Sequence, residues 1–325
     1  MGRPNEQGND ELAVLGWQGI TLKAPGGWEP DALAGTREEG YLRLVDGDMP
    51  RLELKWATAS GAAKPVARVL DDYLATIQKQ AKSQNWELKV RRDVRLLSRR
   101  QTRKMALECY GWEAEQQAVG AAWYCRQCGR TVIAQVLGMV GEEIEPLARQ
   151  VLGSVEDHPR DQWVLWSAFG LHFELPEGFL VQEQRLMAGL DGERGTANIE
   201  LRFARGLEEV RVLRWSMADV LLRRASLMEW AQVKFARHLH RRAHCTAEEG
   251  EVKGHPAVLV RGQRERFHQR VQRFIVHCRR RDYPDRVACE IWRCEQSNKI
   301  HALERELDAL NSAEDAEMVA RLKCH

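Results

Sequence analysis

The chain has 325 residues, of which 44% are hydrophobic and 30% are charged, and its formal net charge at pH 7 is +2. This composition is typical of a folded globular protein of about two domains and excludes an intrinsically disordered chain. The small net charge argues against a nucleic-acid-binding surface that extends over the whole molecule.

The first half predicts three strands, a helix, further strands and a closing helix. Alternating apolar residues predict one strand that ends at Pro25 and two more, at 42–45 and 52–56, around a hairpin turn at Asp46-Gly47. Apolar residues with helical spacing predict a helix over 66–77. Further strands are predicted over 86–97, 105–115, 118–125 and 131–138, and a second amphipathic helix over 144–155.

The second half predicts the same order of elements. Its first strand ends at Pro176, and a helix over 217–235 begins in a predicted capping box of Ser216 and Asp219. The closing helix is predicted from four apolar residues with helical spacing, Ile300, Leu303, Leu307 and Leu310. Ser312 is typical of a new N-cap, so we expect the terminal helix to break there.

The chain also contains an internal repeat. The stretch "GITLKAPGGW" at 19–28 matches "GLHFELPEGF" at 170–179, with shared glycine and proline positions at an offset of 151. The stretch "DGDMPRLELKW" at 46–56 matches "DGERGTANIELRF" at 191–203, with two extra residues in the turn. Matches in the same order at nearly the same offset indicate a duplicated unit.

Each repeat therefore has the predicted order β-β-β-α-β-β-β(β)-α. Because short turns join most of the strands, we expect an α+β fold of two tandem repeats, each a mostly antiparallel sheet with two packed helices. We predict a flexible N-terminal segment at 1–11, the first repeat at 12–157 and the second repeat at 162–325. The polar stretch 156–163 joins the two repeats.

The opening strand of each repeat ends in Pro-x-Gly-aromatic, from Pro25 to Trp28 and from Pro176 to Phe179. With the order of elements that follows, this motif resembles the fold shared by PsbP and the Mog-type Ran-binding proteins. The resemblance covers both repeats and implies accessory and assembly work without common catalytic residues. No functional residue of either branch of that family matches a position in this sequence.

Cys125 and Cys128 form a C-x-x-C pair that is followed by Gly129. Such a pair is typical of half of a structural zinc site, but zinc needs four ligands. All ten histidines lie at residue 158 or beyond, and the first repeat has one other cysteine, Cys109. A fourth ligand would have to be a carboxylate, a water or a group from the second repeat. We therefore favour a hairpin turn with a permissive glycine, and a metal site and a redox pair are the alternatives.

A third match aligns "YCRQ" at 124 with "HCRR" at 277, which places Cys278 at the equivalent strand end of the second repeat. The turn after it is longer, and a second cysteine is missing. If 287–293 is a strand, Cys289 and Cys294 point to opposite faces because their separation is odd. We therefore expect these cysteines to fill a core as small apolar side chains.

For the last two residues, Cys324 and His325, we favour a frayed tail over the alternative of weak metal binding. Eight cysteines in a chain of this length are typical of reduced thiols rather than of a disulfide framework. The sequence therefore predicts no cofactor and no stoichiometric metal. No apolar run approaches the roughly 20 residues that span a membrane, and no signal peptide is evident. We expect a cytoplasmic protein without a membrane partner.

Catalytic motifs are absent from the sequence: it contains no nucleophile elbow, no phosphate-binding loop and no dinucleotide fingerprint. We therefore favour a non-enzymatic interaction or assembly module. A metal-dependent enzyme that uses Cys125 and Cys128 is an alternative.

Positive charge is concentrated in two stretches, 89–104 in the first repeat and 261–273 in the second. A solvated sheet face would explain these stretches without any function. Because guanidinium groups suit forked contacts to carboxylate or phosphate, we predict instead that they bind an acidic protein partner, with nucleic acid as the alternative partner. The predicted partner-binding residues are Arg91, Arg92, Arg95, Arg99, Arg100, Arg261, Arg264, Arg266, Arg270 and Arg273.

Overall fold

The computed structural model describes residues 11–92, 94–97, 106–188, 197–239, 243–264, 286–307 and 312–325. The chain forms two compact units that divide after Gly170. Of the predicted N-terminal segment 1–11, residues 1–10 lie outside the described ranges.

Unit 1 consists of ten strands and two helices within the described ranges. The strands are β1 (Leu12–Trp17), β2 (Ile20–Pro25), β3 (Glu29–Gly35), β4 (Glu39–Val45), β5 (Pro50–Thr58), β6 (Lys89–Arg91), β7 (Ala106–Glu113), β8 (Gln116–Tyr124), β9 (Arg130–Met139) and β10 (Trp163–Ala168). The helices are α1 (Val66–Ser83) and α2 (Glu145–Gly153).

Unit 2 consists of eight strands and three helices in the part of the chain that is described. The strands are β11 (Leu171–Pro176), β12 (Leu180–Ala188), β13 (Ala197–Arg205), β14 (Glu208–Ser216), β15 (Ala243–Val252), β16 (His255–Arg264), β17 (Arg286–Cys294) and β18 (Lys299–Leu307). The helices are α3 (Ala218–Leu221), α4 (Leu227–Leu239) and α5 (Ala313–Arg321).

The main sheet of unit 1 has seven antiparallel strands in the order β3-β4-β5-β9-β8-β7-β6. Helix α1 packs on this sheet because Leu70 and Leu74 lie one turn apart on its apolar face and contact Tyr110 and Ala122. In a smaller sheet of the same unit, β1 pairs antiparallel with both β2 and β10.

The main sheet of unit 2 also has seven antiparallel strands, in the order β12-β13-β14-β18-β17-β16-β15. Helix α4 packs on it through Trp230 and Phe235, whose rings meet Trp215 edge to face. Counted from the first strand of each, the two main sheets have the same strand order. The predicted α+β architecture with mostly antiparallel sheets is confirmed.

The predicted closing helix of the second half is wrong, because residues 299–307 form strand β18. Both faces of this strand are covered, and every residue from Ile300 to Leu307 is buried. A strand that is buried on both sides does not alternate between apolar and polar residues. The spacing of the apolar residues Ile300, Leu303 and Leu307 therefore matched that of a helix, although the segment is a strand. The new N-cap is confirmed, since the hydroxyl of Ser312 accepts a hydrogen bond from the Asp315 backbone N–H at the start of α5.

The predicted capping box of Ser216 and Asp219 is also wrong. The Ser216 hydroxyl bonds across the sheet to the backbone of Ala197, and the predicted helix is interrupted between α3 and α4. The box lies one helix later, where the Ser226 N–H donates to Glu229 at 2.8 Å and the Glu229 N–H donates to the Ser226 hydroxyl at 3.2 Å.

In the first half, helix α1 and strands β4, β5, β7, β8 and β9 follow the predicted spans. The predicted strand 86–97 is much shorter, since only Lys89–Arg91 is paired. None of the helices in the described ranges is long and apolar enough to cross a membrane.

Candidate metal centres and a basic pocket

The hairpin between β8 and β9 places Cys125 and Cys128 in its turn. The Cys125 N–H donates to the Arg130 carbonyl at 2.8 Å, and the Gly129 N–H donates to the Cys125 carbonyl at 2.9 Å. Gly129 has a φ of 71°, which favours glycine. The C-x-x-C pair is thus part of a tight hairpin, but a hairpin and a metal site do not exclude each other.

The segment after helix α2 brings two further polar side chains to this hairpin. Thr21 on β2 and Glu156 exchange two backbone hydrogen bonds of 2.8 Å. This bridge fixes the position of the next two residues, Asp157 and His158. The Cys128 thiol lies 3.7 Å from the Asp157 carbonyl oxygen, to which it donates.

Cys125, Cys128, Asp157 and His158 form what we call the unit 1 cluster. Their ligand atoms all lie within 4.8 Å of one another. The Cys125 Sγ lies 3.5 Å from the His158 Nδ1, and the Asp157 Oδ1 lies 2.7 Å from the same nitrogen. The second carboxylate oxygen of Asp157 accepts a hydrogen bond of 2.8 Å from the Trp123 indole. The cluster therefore has two sulfurs, one nitrogen and one carboxylate that converge.

A buried cation lies beside the unit 1 cluster. Arg130 is 2% exposed and donates to the carbonyl oxygens of Asp157 and Gln18, at 2.9 Å and 2.7 Å. Burial lowers the pKa of the Arg130 guanidinium. Burial also raises the pKa of the Cys128 thiol to about 12, and a cation bound by the sulfur would act in the opposite direction.

Unit 2 contains a second group, which we call the unit 2 cluster: His255, Cys294, Cys324 and His325. Their ligand atoms also lie within 4.8 Å of one another. His325 Nδ1 lies 3.4 Å from the Cys294 Sγ and 3.3 Å from the Cys324 Sγ, and His255 Nε2 lies 3.3 Å from the Cys324 Sγ. The end of the chain is thus packed against the hairpin of β17 and β18 through these side chains.

Backbone contacts fix the end of the chain in unit 2. The Lys323 N–H donates to the His172 carbonyl on β11 at 2.8 Å. The Lys253 ammonium donates to the carbonyl oxygens of Ala320 and Leu322. Burial raises the pKa of Cys294, but hydrogen bonds from Ser297, His325 and Cys324 outweigh it and lower this pKa to about 7.

The two clusters occupy the same place in each unit. The hairpin "WYCRQCGR" at 123–130 corresponds to "WRCEQSNK" at 292–299, because both connect the strands that are central in the same sheet order. The dipeptide Asp157-His158 follows the last helix of unit 1, as Cys324-His325 follows the last helix of unit 2.

This correspondence corrects the alignment of Cys125 with Cys278. Residues 277–278 lie outside the described ranges, and the strand equivalent to β8 ends instead at Cys294. Cys289 lies in the core of unit 2, as predicted, whereas Cys294 points to the cluster. The offset of 169 between the two W-x-C-x-Q stretches was the sequence signal that could have found the second hairpin.

Three of the predicted partner-binding arginines are held in ion pairs inside their own unit. Arg91 lies 3.4 Å from Glu145, Arg92 pairs with Asp71, and Arg261 lies 2.6 Å from Glu290. Arg264 ends strand β16, but its side chain is not among those described. The remaining predicted residues outside the described ranges are Arg99, Arg100, Arg266, Arg270 and Arg273.

Arg95 lines an open pocket of 540 Å³ in unit 1 together with two other cations, Lys23 and Arg149. All three side chains are exposed, and within the described residues none of them forms an ion pair. Apolar side chains, among them Leu12 and Leu96, line the same pocket. It therefore combines positive charge with apolar surface, and no carboxylate is found among the described residues that line it.

Unit 1 has a second cleft, of 470 Å³, which is a candidate location for an active site if the protein is an enzyme. Two carboxylates line it, Glu53 and Glu115, and Glu53 already accepts hydrogen bonds from Tyr41 at 2.7 Å and from Gln135 at 3.0 Å. The ammonium of its lysine, Lys55, lies 5.4 Å from the ring centres of both Tyr41 and Tyr73. Glu53 and Lys55 are therefore engaged with neighbouring side chains of the same cleft.

Comparisons with known proteins give little help. No family model matches the chain, and no curated protein matches it. A chain in a solved structure, described as the crystal structure of the Tle4-Tli4 complex, is 9% identical, with 98% of each chain covered and a TM-score of 0.27. A similarity at this TM-score supports no inference about this chain.

Proposed function

We propose that this protein is a non-enzymatic interaction module that binds an acidic protein partner through the basic pocket of unit 1. The single observation that carries this function is the convergence of Lys23, Arg95 and Arg149 on one pocket with apolar lining. Carboxylates of a partner would form ion pairs with these three cations. An apolar side chain between the carboxylates would pack against the leucines that line the pocket.

Three of the other predicted partner-binding arginines are less available to a partner, because they already form ion pairs. Arg91, Arg92 and Arg261 each have a carboxylate neighbour in their own unit. A partner would have to compete with these carboxylates, whereas Arg95 forms no ion pair among the described residues. We therefore place the main contact at Arg95 rather than along the whole basic stretch.

We further propose that the two units are tandem copies of one fold. The shared strand order of the main sheets and the two equivalent hairpins support this duplication. Superposition of residues 12–157 on residues 162–325 is the direct test, and a different placement of the helices on the sheets would contradict it. The resemblance to PsbP and the Mog-type Ran-binding proteins stays a prediction.

Fluorescence anisotropy with a labelled peptide of alternating glutamate and leucine tests the pocket. We expect the double variant Arg95→Ser/Arg149→Ser to bind this peptide about 10-fold more weakly, because each exposed charged contact contributes up to about 1 kcal/mol and about 1.4 kcal/mol corresponds to a tenfold change in affinity. Arg160→Ser is the matched control, because Arg160 is exposed and already paired with Glu156. Equal affinity of the double variant and the parent would contradict the proposal.

Salt dependence separates a protein partner from nucleic acid. For a single-stranded oligonucleotide that contacts the three cations, the logarithm of the association constant should fall linearly with the logarithm of the salt concentration. The slope should be about −0.7 for each phosphate that is contacted. Tighter binding of the oligonucleotide than of the peptide at physiological salt would favour the nucleic-acid alternative over the acidic protein partner.

A further inference from the structure

We propose that each unit binds one structural Zn²⁺ ion between its central hairpin and the segment after its last helix. The ligands in unit 2 are the four residues of the unit 2 cluster, His255, Cys294, Cys324 and His325. The ligands in unit 1 are the four residues of the unit 1 cluster, Cys125, Cys128, Asp157 and His158.

The chemistry of the unit 2 cluster suits zinc. Two cysteine sulfurs and two histidine nitrogens are a common ligand set of structural zinc. With metal–sulfur distances of about 2.3 Å and metal–nitrogen distances of about 2.0–2.1 Å, tetrahedral ligand atoms lie about 3.3–3.8 Å apart. Three of the four sulfur–nitrogen distances, at 3.3, 3.3 and 3.4 Å, fall in this range. A tetrahedral ion therefore fits with little movement of the ligands.

The unit 1 cluster suits zinc by a different combination of ligands. The Cys125–His158 separation of 3.5 Å again matches tetrahedral coordination. Asp157 has a side chain that is 2% exposed, with one oxygen held by the Trp123 indole and the other turned to His158. Two thiolates and one carboxylate around a divalent ion leave one negative charge, and the buried Arg130 supplies one positive charge next to it.

The differences between the two clusters preserve the number of ligands. Ser297 stands where unit 1 has Cys128, and the missing sulfur is replaced by His255 from the neighbouring strand β16. Where unit 1 has Asp157, unit 2 has Cys324. Cysteines that only fill a core need no histidine partners, as Cys289 illustrates in the core of unit 2. Four converging ligands at equivalent places in both units therefore favour a metal.

The role of these ions is structural. Both clusters supply four protein ligands, whereas catalytic zinc leaves one position for water or substrate. Each ion would join the tip of a hairpin to the short segment after the last helix of the same unit, which is otherwise fixed by a few backbone bonds. The metal would then hold this segment against the hairpin in each unit.

Zinc content of the full-length chain, purified without chelator, tests this proposal. Elemental analysis by mass spectrometry should find about two zinc ions per chain. His325→Gln and His158→Gln should each lose one ion on mild dialysis against a chelator, because loss of a ligand should lower affinity by at least the roughly 10–100-fold seen for outer-shell partners. His325 is exposed and His158 is half-buried, so both variants should fold.

Two controls are matched to these variants. His172→Gln changes a half-buried histidine outside the clusters, and Cys109→Ser changes a half-buried cysteine outside them; both should retain two ions. Replacement of zinc by Co²⁺ should give thiolate-to-metal charge transfer and the visible bands of tetrahedral cobalt. Less than about half an ion per chain in the parent, or two ions in both histidine variants, would overturn the proposal.

Discussion

Arg305 on strand β18 is 1% exposed and pairs with Glu290 and Asp315, which are buried with it. A buried charge is stable only while its partners remain, since solvent cannot replace them. Arg305→Met should therefore lower the free energy of unfolding by about 3–5 kcal/mol, because Asp315 is left without its cation. Urea denaturation followed by tryptophan fluorescence would measure this change.

Arg43→Met is the control for this effect, because Arg43 pairs with Asp31 at an exposed edge of unit 1. Exposed pairs contribute about 0–1 kcal/mol, so this variant should unfold almost like the parent. If the two variants lose equal stability, burial does not govern the strength of these pairs.

Single residues also show what the sequence could and could not predict about the candidate site. Cys125 and Cys128 are recognisable by spacing alone. His158 was missed because it lies one residue beyond the predicted end of the first repeat, and His255 because it lies on a separate strand. Ligands that come from different elements are brought together only by the pairing of strands, which local patterns do not encode.

At the scale of single elements, α4 begins at the capping box of Ser226 and Glu229. Ser226→Ala should lower the free energy of unfolding by about 1 kcal/mol, because the backbone N–H of Glu229 then loses its acceptor. The comparison variant is Ser83→Ala, at the last residue of α1, where the hydroxyl donates to the Gln80 carbonyl and caps no free N–H. Thermal unfolding of both variants would measure this difference. An equal loss of stability in the two variants would show that the capping box does not stabilise α4.

Elements with one covered face were predicted well, whereas strand β18, which is covered on both faces, was predicted as a helix. Strand β5 alternates between buried and partly exposed residues, and helix α1 has a clear apolar face. Strand β18 has eight successive buried residues, including His301 and Glu304, so its pattern carries no period of two. Of the polar residues that made it look like an amphipathic helix, Glu304 pairs with Arg211, and Arg305 pairs with Glu290 and Asp315.

At the scale of the whole molecule, the predicted end of the first repeat and the division of the chain into compact units fall at different residues. The sequence placed that end at 157, at the change to a polar stretch. The structure divides the chain after Gly170. The difference is strand β10, which follows the polar stretch and pairs with β1 through Gly16 and Ser167.

Truncation distinguishes these two boundaries. Trp166 on β10 is 2% exposed, and its ring meets that of Trp17 edge to face at 5.2 Å. A fragment of residues 1–170 should therefore fold, whereas a fragment of residues 1–161 should be less stable by at least the roughly 3–5 kcal/mol that loss of a buried tryptophan costs. Circular dichroism during urea unfolding of the two fragments measures the difference. Equal midpoints would show that β10 contributes nothing to unit 1 and that the unit ends before it.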